Sequence, residues 1–406
     1  MIEVKEISLD SKKDKKKFFK FLIDLYEGNP YICPNLYTDE FAEFDPAKND
    51  AFRFADCKMF LAYKDGKIAG RIAGIWHRGA NEKFGYKQLR FTRFDVIDDF
   101  EVTKALFAEL YKWAQELGME EIIGPMSFSD LNEEGMLIDG FDRDSTYIEI
   151  YNHPYYVEHM QKLGAYKVVD WNCLRIAVPP EGDKQLERLA KAVQEKNGYK
   201  VLDVRYWRKH NKKKLSDYIM QCLDVLDEAY APLYGVSPIN EKQKRREMAT
   251  IYQILIPELA AVILKDDKVI AYGFMMPSIN EVLRKGKGSV FPRGIIPYIK
   301  AMTNIEVADM MSIGVTQEHN NKGAVAMILH HCLVGLNKLG VKYLETGPML
   351  ENNKHINNLW KRYNPELAKR RRCWGLRVDP DKPDIISANV PAAAPAAKDA
   401  EDKDEA

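Results

Sequence analysis

VADMMSIGVTQEHNNKGAVAMILHHCLVGLNKLGVKYLETGPM, Val307 to Met349, decides how this chain is read. The apolar run Met310, Met311, Ile313 and Val315 predicts a strand buried on both faces, and Met327, Ile328, Leu333 and Leu336 recur at helical spacing. A second strand follows and ends in Gly347-Pro348-Met349. Between the first strand and the helix lies a polar loop with Gly323 at the helix start. Such a loop offers unpaired backbone N–H groups and the positive end of a helix dipole, which suits a phosphate. The competing reading is an ordinary strand-to-helix turn.

Working outward, the same pattern occurs earlier in the chain. Leu117 to Met126, LGMEEIIGPM, matches Leu339 to Met349, LGVKYLETGPM, with one residue inserted. Each copy is preceded by a hairpin with a polar turn, Lys64-Asp65-Gly66-Lys67 in one and Lys265-Asp266-Asp267-Lys268 in the other, then a strand and an amphipathic helix. A helix and a closing strand follow each. One matched tripeptide means little, but matched order on both sides predicts a duplicated module.

The fold class expected is therefore α/β (α+β), two modules each with a mixed, mostly antiparallel sheet flanked by helices. The boundaries are residues 1–178 for the first module with a helical N-terminal extension, 179–254 for a linker and helical connector, 255–380 for the second module, and 381–406 for a disordered Ala/Pro-rich tail. In the connector, Leu215, Tyr218, Ile219, Cys222, Leu223 and Leu226 make one helix face. The final strand is expected near Cys373 to Val378. The aromatic loop from Asn29 to Asn49 reads as a core plug or as the cover of a pocket.

Sixty basic and sixty acidic residues cancel, so net charge does not mark the chain as a polyanion binder. Basic clusters at 12–17, 208–214, 284–287 and 369–372 read first as solvated faces and second as contacts with anionic lipid or a phosphorylated ligand. Basic stripes with interleaved aromatics are missing, so no nucleic-acid partner is expected. Six scattered cysteines suggest neither a metal knuckle nor a disulfide framework, and no metal is expected. A cytoplasmic location fits, with room for peripheral contact at the inner membrane face, since the longest apolar stretch, Ile254 to Leu264, is too short to span a bilayer.

The order hairpin, strand, glycine loop, helix, strand, helix, strand resembles the GNAT acyltransferase module. Val315 to Ala326, VTQEHNNKGAVA, is similar to that family's pyrophosphate loop, with Asn320 where Arg or Gln is usual. Asn353, Ile356, Leu359 and Trp360 resemble its Asn-x-x-Ala-x-x-Leu-Tyr helix, and His153, Tyr156, His159, Met160, Leu163 and Gly164 hold that place in the first half. The first half's own loop, Asp95 to Lys104, has no glycine. GPMSFSDLNEEGMLIDGFD followed by HPYY also looks like a group of tandem bacterial GNAT proteins that includes proposed ceramide synthases.

That resemblance implies transfer of an acyl group from acyl-CoA or acetyl-CoA to a primary amine. A long-chain sphingoid base is the leading acceptor, and a small polar amine stays open. The rival is a non-catalytic binding or regulatory protein. Coenzyme binding would fall to Met311, Ile313 and Val315 of the strand, to Asn320, Asn321, Lys322, Gly323 and Ala324 of the loop, and to Asn353. Glu134 and Asp309 are the candidate bases, and Asn132, His153 and Tyr155 candidate substrate contacts. The family's thiolate-protonating Tyr is replaced by Trp360 and Met160, which leaves Tyr156 and Tyr363 as candidate substitutes.

Overall fold

The computed structural model describes residues 1–379 apart from 130 and 238, so the tail expected from 381 lies outside the described residues. The strands are β1 (Ile2–Ile7), β2 (Ala55–Lys64), β3 (Lys67–His77), β4 (Gln88–Val96), β5 (Glu121–Gly124), β6 (Met136–Asp139) and β7 (Tyr166–Ala177). They continue as β8 (Lys200–Val201), β9 (Ala260–Lys265), β10 (Lys268–Pro277), β11 (Val307–Val315), β12 (Tyr343–Thr346), β13 (Met349–Leu350) and β14 (Glu366–Arg377). One sheet holds them in the order β1-β2-β3-β4-β5-β14-β7-β12-β11-β10-β9-β8, with β13 on β7 and β6 on β14.

The duplication is visible in this order. β2-β3-β4, the helix Phe100–Glu116 and β5 have their counterpart in β9-β10-β11, the helix Ala324–Lys338 and β12. The parallel pairs are β4 with β5 and β11 with β12. Both hairpins turn on two residues of positive φ, Asp65-Gly66 and Asp266-Asp267, the geometry that matches the twist of the flanking strands. In each half the middle strand carries a glycine beneath the helix. A Cβ at Gly74 would lie 2.8 Å from Leu110, and one at Gly273 would lie 2.4 Å from Ile328. These close approaches seat the two helices on their sheets.

The last strand of each half crosses to the other. β7 pairs with β12, while β14 pairs with β5, and β7 and β14 run antiparallel to each other from Tyr166 to Arg175. The boundary expected at 178 is a boundary in sequence, but the sheet runs straight through it.

The strand exchange also explains a departure from expectation. Lys369 to Arg372 belongs to β14, which starts at Glu366 rather than near Cys373. Alternation along the strand sends Lys369 and Arg371, 1% and 0% exposed, to one face and Arg370 and Arg372 to the other. Lys369 Nζ lies 2.8 Å from Glu149 and 2.9 Å from Glu345, while Arg372 and Arg370 reach buried Asp170 at 2.7 and 3.2 Å. The cluster is therefore an interior ion-pair ladder and not a solvated face.

Two connector helices, Lys212–Tyr230 and Glu241–Ile254, cover the sheet face opposite the helix Ala324–Lys338, while a third, Lys184–Asn197, packs against that helix. The helix Lys212–Tyr230 buries the expected face from Leu215 to Leu226 against β9, β10 and the helix Glu241–Ile254. Asn240 and Gln243 close a capping box at the start of the latter.

Candidate active site

In the second half β11 and β12 run together for only four residue pairs, Val307 with Tyr343 to Met310 with Thr346. Gly347 N then donates to Met310 O at 3.1 Å, and beyond that rung the chain turns away at Pro348. A register shift in the pairing with β10 places a bulge at Met311. Past the bulge, Ile313 directs its N–H and C=O toward the gap, where neither meets a strand. The Tyr230 hydroxyl, at the end of the connector helix Lys212–Tyr230, donates to Ile313 O at 3.2 Å and accepts from Ile313 N at 3.4 Å. A single side chain thus fills a donor–acceptor pair suited to an amide.

The loop after β11 leads to the helix Ala324–Lys338. Asn321 has φ 60° and Gly323 φ 85°, and no side chain caps the helix N-terminus. Asn320, Asn321 and Lys322 are exposed. A Cβ at Gly323 would stand 2.5 Å from Val193 of the helix Lys184–Asn197, so the glycine also serves packing. Both readings of this loop, helix-start anion cradle and tight turn, thus have a physical basis at the same residue.

The equivalent gap in the first half is filled. Tyr155 Oη donates to Val96 O at 2.7 Å, and Tyr156 Oη accepts from Val96 N at 2.9 Å, so two tyrosines hold the strand end that an amide ligand would need. Phe91, Phe94 and Phe107 pack edge to face beside them. Arg93, at the bulge with φ 49°, is surrounded by Glu40 at 2.8 Å, Glu43 at 2.7 Å and Glu133 at 3.3 Å.

The parted strands of the second half open onto a cavity of about 470 Å³. Met311 and Ser312 of β11, Gly347-Pro348 after β12, and Tyr230 all contribute to its wall. Its apolar interior comes from the connector helices and from β9 and β10, with Leu223, Leu226, Leu255 and Phe274 among the lining residues. Asp39, Glu43, Asn132 and Glu134 bring carboxylates and an amide from the first half, while Lys48, Lys242 and Arg246 bring positive charge, Lys242 being tied to Asp50 at 2.9 Å. Burial pushes the Glu43 carboxyl up to about 7 against the pull of Arg93. The aromatic N-terminal loop therefore both plugs a core, through Ile32 and Cys33, and lines this cavity.

Asp309 lies one residue before the last β11–β12 pair, opposite Glu345, and is 1% exposed. Burial first, and Glu345 second, push its carboxyl up to about 8, with Ser278 opposing. Glu345 is itself held by Arg175 at 2.6 Å and Lys369 at 2.9 Å.

The expected residues separate into those the structure gathers and those it does not. Glu134, Asn132 and Met311 meet at the cavity beside the Ile313 gap, while Asp309, buried on β11 opposite Glu345, is not one of the residues that line it. Asn132 Oδ1 also accepts from Ser129 N at 3.2 Å, a turn contact. Val315 closes the strand next to the exposed loop. His153 stacks between Tyr26 and Tyr155, and with Tyr155 and Tyr156 it stays in the first half's filled gap, away from the cavity. Tyr156 is fully buried against the Tyr26 hydroxyl. Tyr363 donates to Asp183 at 2.9 Å, its hydroxyl pushed up to about 12 by burial and that carboxylate. Asn353 spends its side-chain oxygen capping the helix Lys354–Leu359. Sequence reasoning missed Tyr230 and Glu43, which no motif marks. Among the described residues no cluster of His, Cys, Asp and Glu is arranged to hold a metal ion.

Comparison with known proteins bears on the fold. No protein-family model matches the chain. Protein YghO of Escherichia coli (strain K12) is 26% identical over 383 residues, covering 91% of this chain and 94% of that protein. The bacterial ceramide synthase of Caulobacter vibrioides (strain NA1000 / CB15N) is 22% identical over 294 residues, covering 71% of this chain and 73% of that protein. Among solved structures, a tandem GNAT protein from the clavulanic acid biosynthesis pathway superposes with a TM-score of 0.52 at 10% identity, covering 94% of this chain and all of that one. The chain has the tandem GNAT fold.

Proposed function

We propose that the protein is an acyl-CoA-dependent N-acyltransferase whose second module binds the thioester and whose acceptor is a long-chain primary amine of the sphingoid-base kind. The observation that carries this reading is the opening of the β11–β12 gap onto an apolar cavity with carboxylates in its wall. Ile313 offers an N–H and a C=O to a pantetheine amide once Tyr230 gives them up, flanked by Met311 and Val315. Asn320 to Ala324 offer backbone donors and the Lys322 charge to a pyrophosphate at the helix start. The filled gap of the first module argues against a second coenzyme there.

An alkyl chain suits the apolar interior, whose size is typical of ligand sites. Asp39, Glu43 and Glu134 favour an ammonium head at its polar wall. A ceramide is an N-acylated sphingoid base, so the Caulobacter relative's name points to the same acceptor. The acyl thioester supplies the acyl group. The amine must lose a proton to attack, and Asp309, with a carboxyl near 8, has the affinity to accept it; Glu134 is the second candidate. As the new C–N bond forms, the C–S bond breaks and the thiolate takes up a proton.

Titration calorimetry with coenzyme A and acyl-CoA, followed by a thiol-release assay with a sphingoid base and with ethanolamine, tests the proposal. Binding of the thioester is expected, with kcat/KM for the long-chain amine at least roughly a hundredfold above that for ethanolamine. Lys322→Glu, an exposed change that spares the Gly323–Val193 contact, should weaken coenzyme binding roughly five- to tenfold. A protein that binds neither thioester nor coenzyme is a binding module and not this enzyme.

A further inference from the structure

The helix Ile295–Thr303, IIPYIKAMT, buries none of its residues. Phe291, just before it, is 76% exposed, and Ile296 and Ile299 are 76% and 56% exposed. With Ile295 and Tyr298 these make five of the thirteen large apolar side chains exposed among the described residues, all within nine positions. Isolated exposed apolar residues need no explanation, but a contiguous set marks an interaction surface.

Charge decides what the surface meets. From Arg284 to Lys300 the sequence has five basic residues and no acidic one. Arg284, Lys285 and Lys287 are committed to Asp144, Glu281 and Glu27. Arg293 and Lys300 stand outside those pairs, exposed among the apolar side chains. A second copy docked here about a twofold axis would set these like charges against their mates, which disfavours self-association. An anionic bilayer satisfies both sets at once, taking apolar side chains into the acyl boundary and basic groups among the headgroups.

We infer that Phe291 to Lys300 is a monotopic membrane-docking surface for anionic lipid. Nothing in this surface depends on the reaction proposed above. It does bear on it, because Ala301 and Met302 pack against the same small apolar cluster, Met276, Ile279 and Leu283 among it, as Met311 and Tyr147, two residues of the cavity wall. A docked helix therefore sets the cavity beside the membrane, where a long-chain amine resides.

Sedimentation with phosphatidylcholine vesicles, with and without phosphatidylglycerol, tests the inference on the full chain. Wild-type protein is expected to pellet with the anionic vesicles and to be released by high salt. F291D/I296D should lower the partition coefficient roughly tenfold or more, and R293Q/K300Q roughly fivefold for each charge removed. Both variants change exposed side chains, so an unaltered melting curve and unaltered coenzyme binding separate loss of docking from misfolding and from failure of the coenzyme reading. The inference is overturned by wild-type protein that ignores anionic vesicles, by F291D/I296D that pellets like wild type, or by a wild-type dimer that this variant dissociates without any vesicle binding.

Discussion

If Asp309 is the base, stability and chemistry pull in opposite directions at this one residue. Its ordinary carboxyl value is 3.8, and the fold raises it to about 8. Between those values the folded state keeps a proton that the unfolded chain has released. Stability attributable to this group therefore falls as pH rises from about 4 to about 8 and is level above that. Asp309→Asn keeps the size of the side chain and removes the charge. Denaturant titrations should find the variant equal to wild type near pH 4 and more stable by roughly 2 kcal/mol or more at pH 9. If Asp309 accepts the amine proton, wild-type turnover climbs with pH through about 8, and the variant loses roughly a hundredfold or more together with that climb. Stabilisation with undiminished turnover would reduce Asp309 to a buried structural acid and leave Glu134 as the base to pursue.

Between elements, the decisive contact is Tyr230 on Ile313, made by a connector helix with a strand of the second module. Tyr230→Phe removes the hydroxyl that occupies the backbone pair. Coenzyme A should then bind roughly two- to tenfold more tightly, while the free protein melts lower because Ile313 has lost its partner. A weaker affinity in the variant would mean that Tyr230 belongs to the coenzyme site and does not compete for it. This contact also shows where the sequence stops being informative. Elements defined by periodic burial were legible, including the connector face from Leu215 to Leu226, both two-residue hairpin turns and the Gly323 helix start, because side-chain spacing and turn chemistry are local. The start of β14 was not, since four consecutive basic residues become strand-compatible only when Glu149, Glu345 and Asp170 arrive from distant segments. The candidate site was legible only as its parts, a strand and the loop after it. Its cavity was not, because one wall comes from the connector and another from the first half, and Tyr155 and Tyr156 look like ligand residues until Val96 is found between their hydroxyls.

At the scale of the whole molecule, the crossing of β7 and β14 makes the two modules one structural unit. A duplicated chain with two independent sheets would unfold in two steps and survive division near residue 178. Here the division leaves β12 without β7 and β5 without β14, and it separates Glu149 from Lys369 and Asp170 from Arg372. Each fragment would expose a sheet edge at its centre and bury charges with no partner, a combination that costs roughly 3–5 kcal/mol for every broken buried pair. With two such pairs lost, the deficit reaches the whole stability of an ordinary domain. Fragments 1–178 and 179–406 expressed separately should therefore show no cooperative thermal transition. When co-expressed they should elute together at the size of the intact chain, because pairing of β7 with β14 restores both edges. Calorimetry of the intact protein should record a single transition. A sharp melt from either fragment alone, or two resolved transitions in the intact chain, would show that each module folds within its own sheet and that the exchanged strands are ornaments of packing.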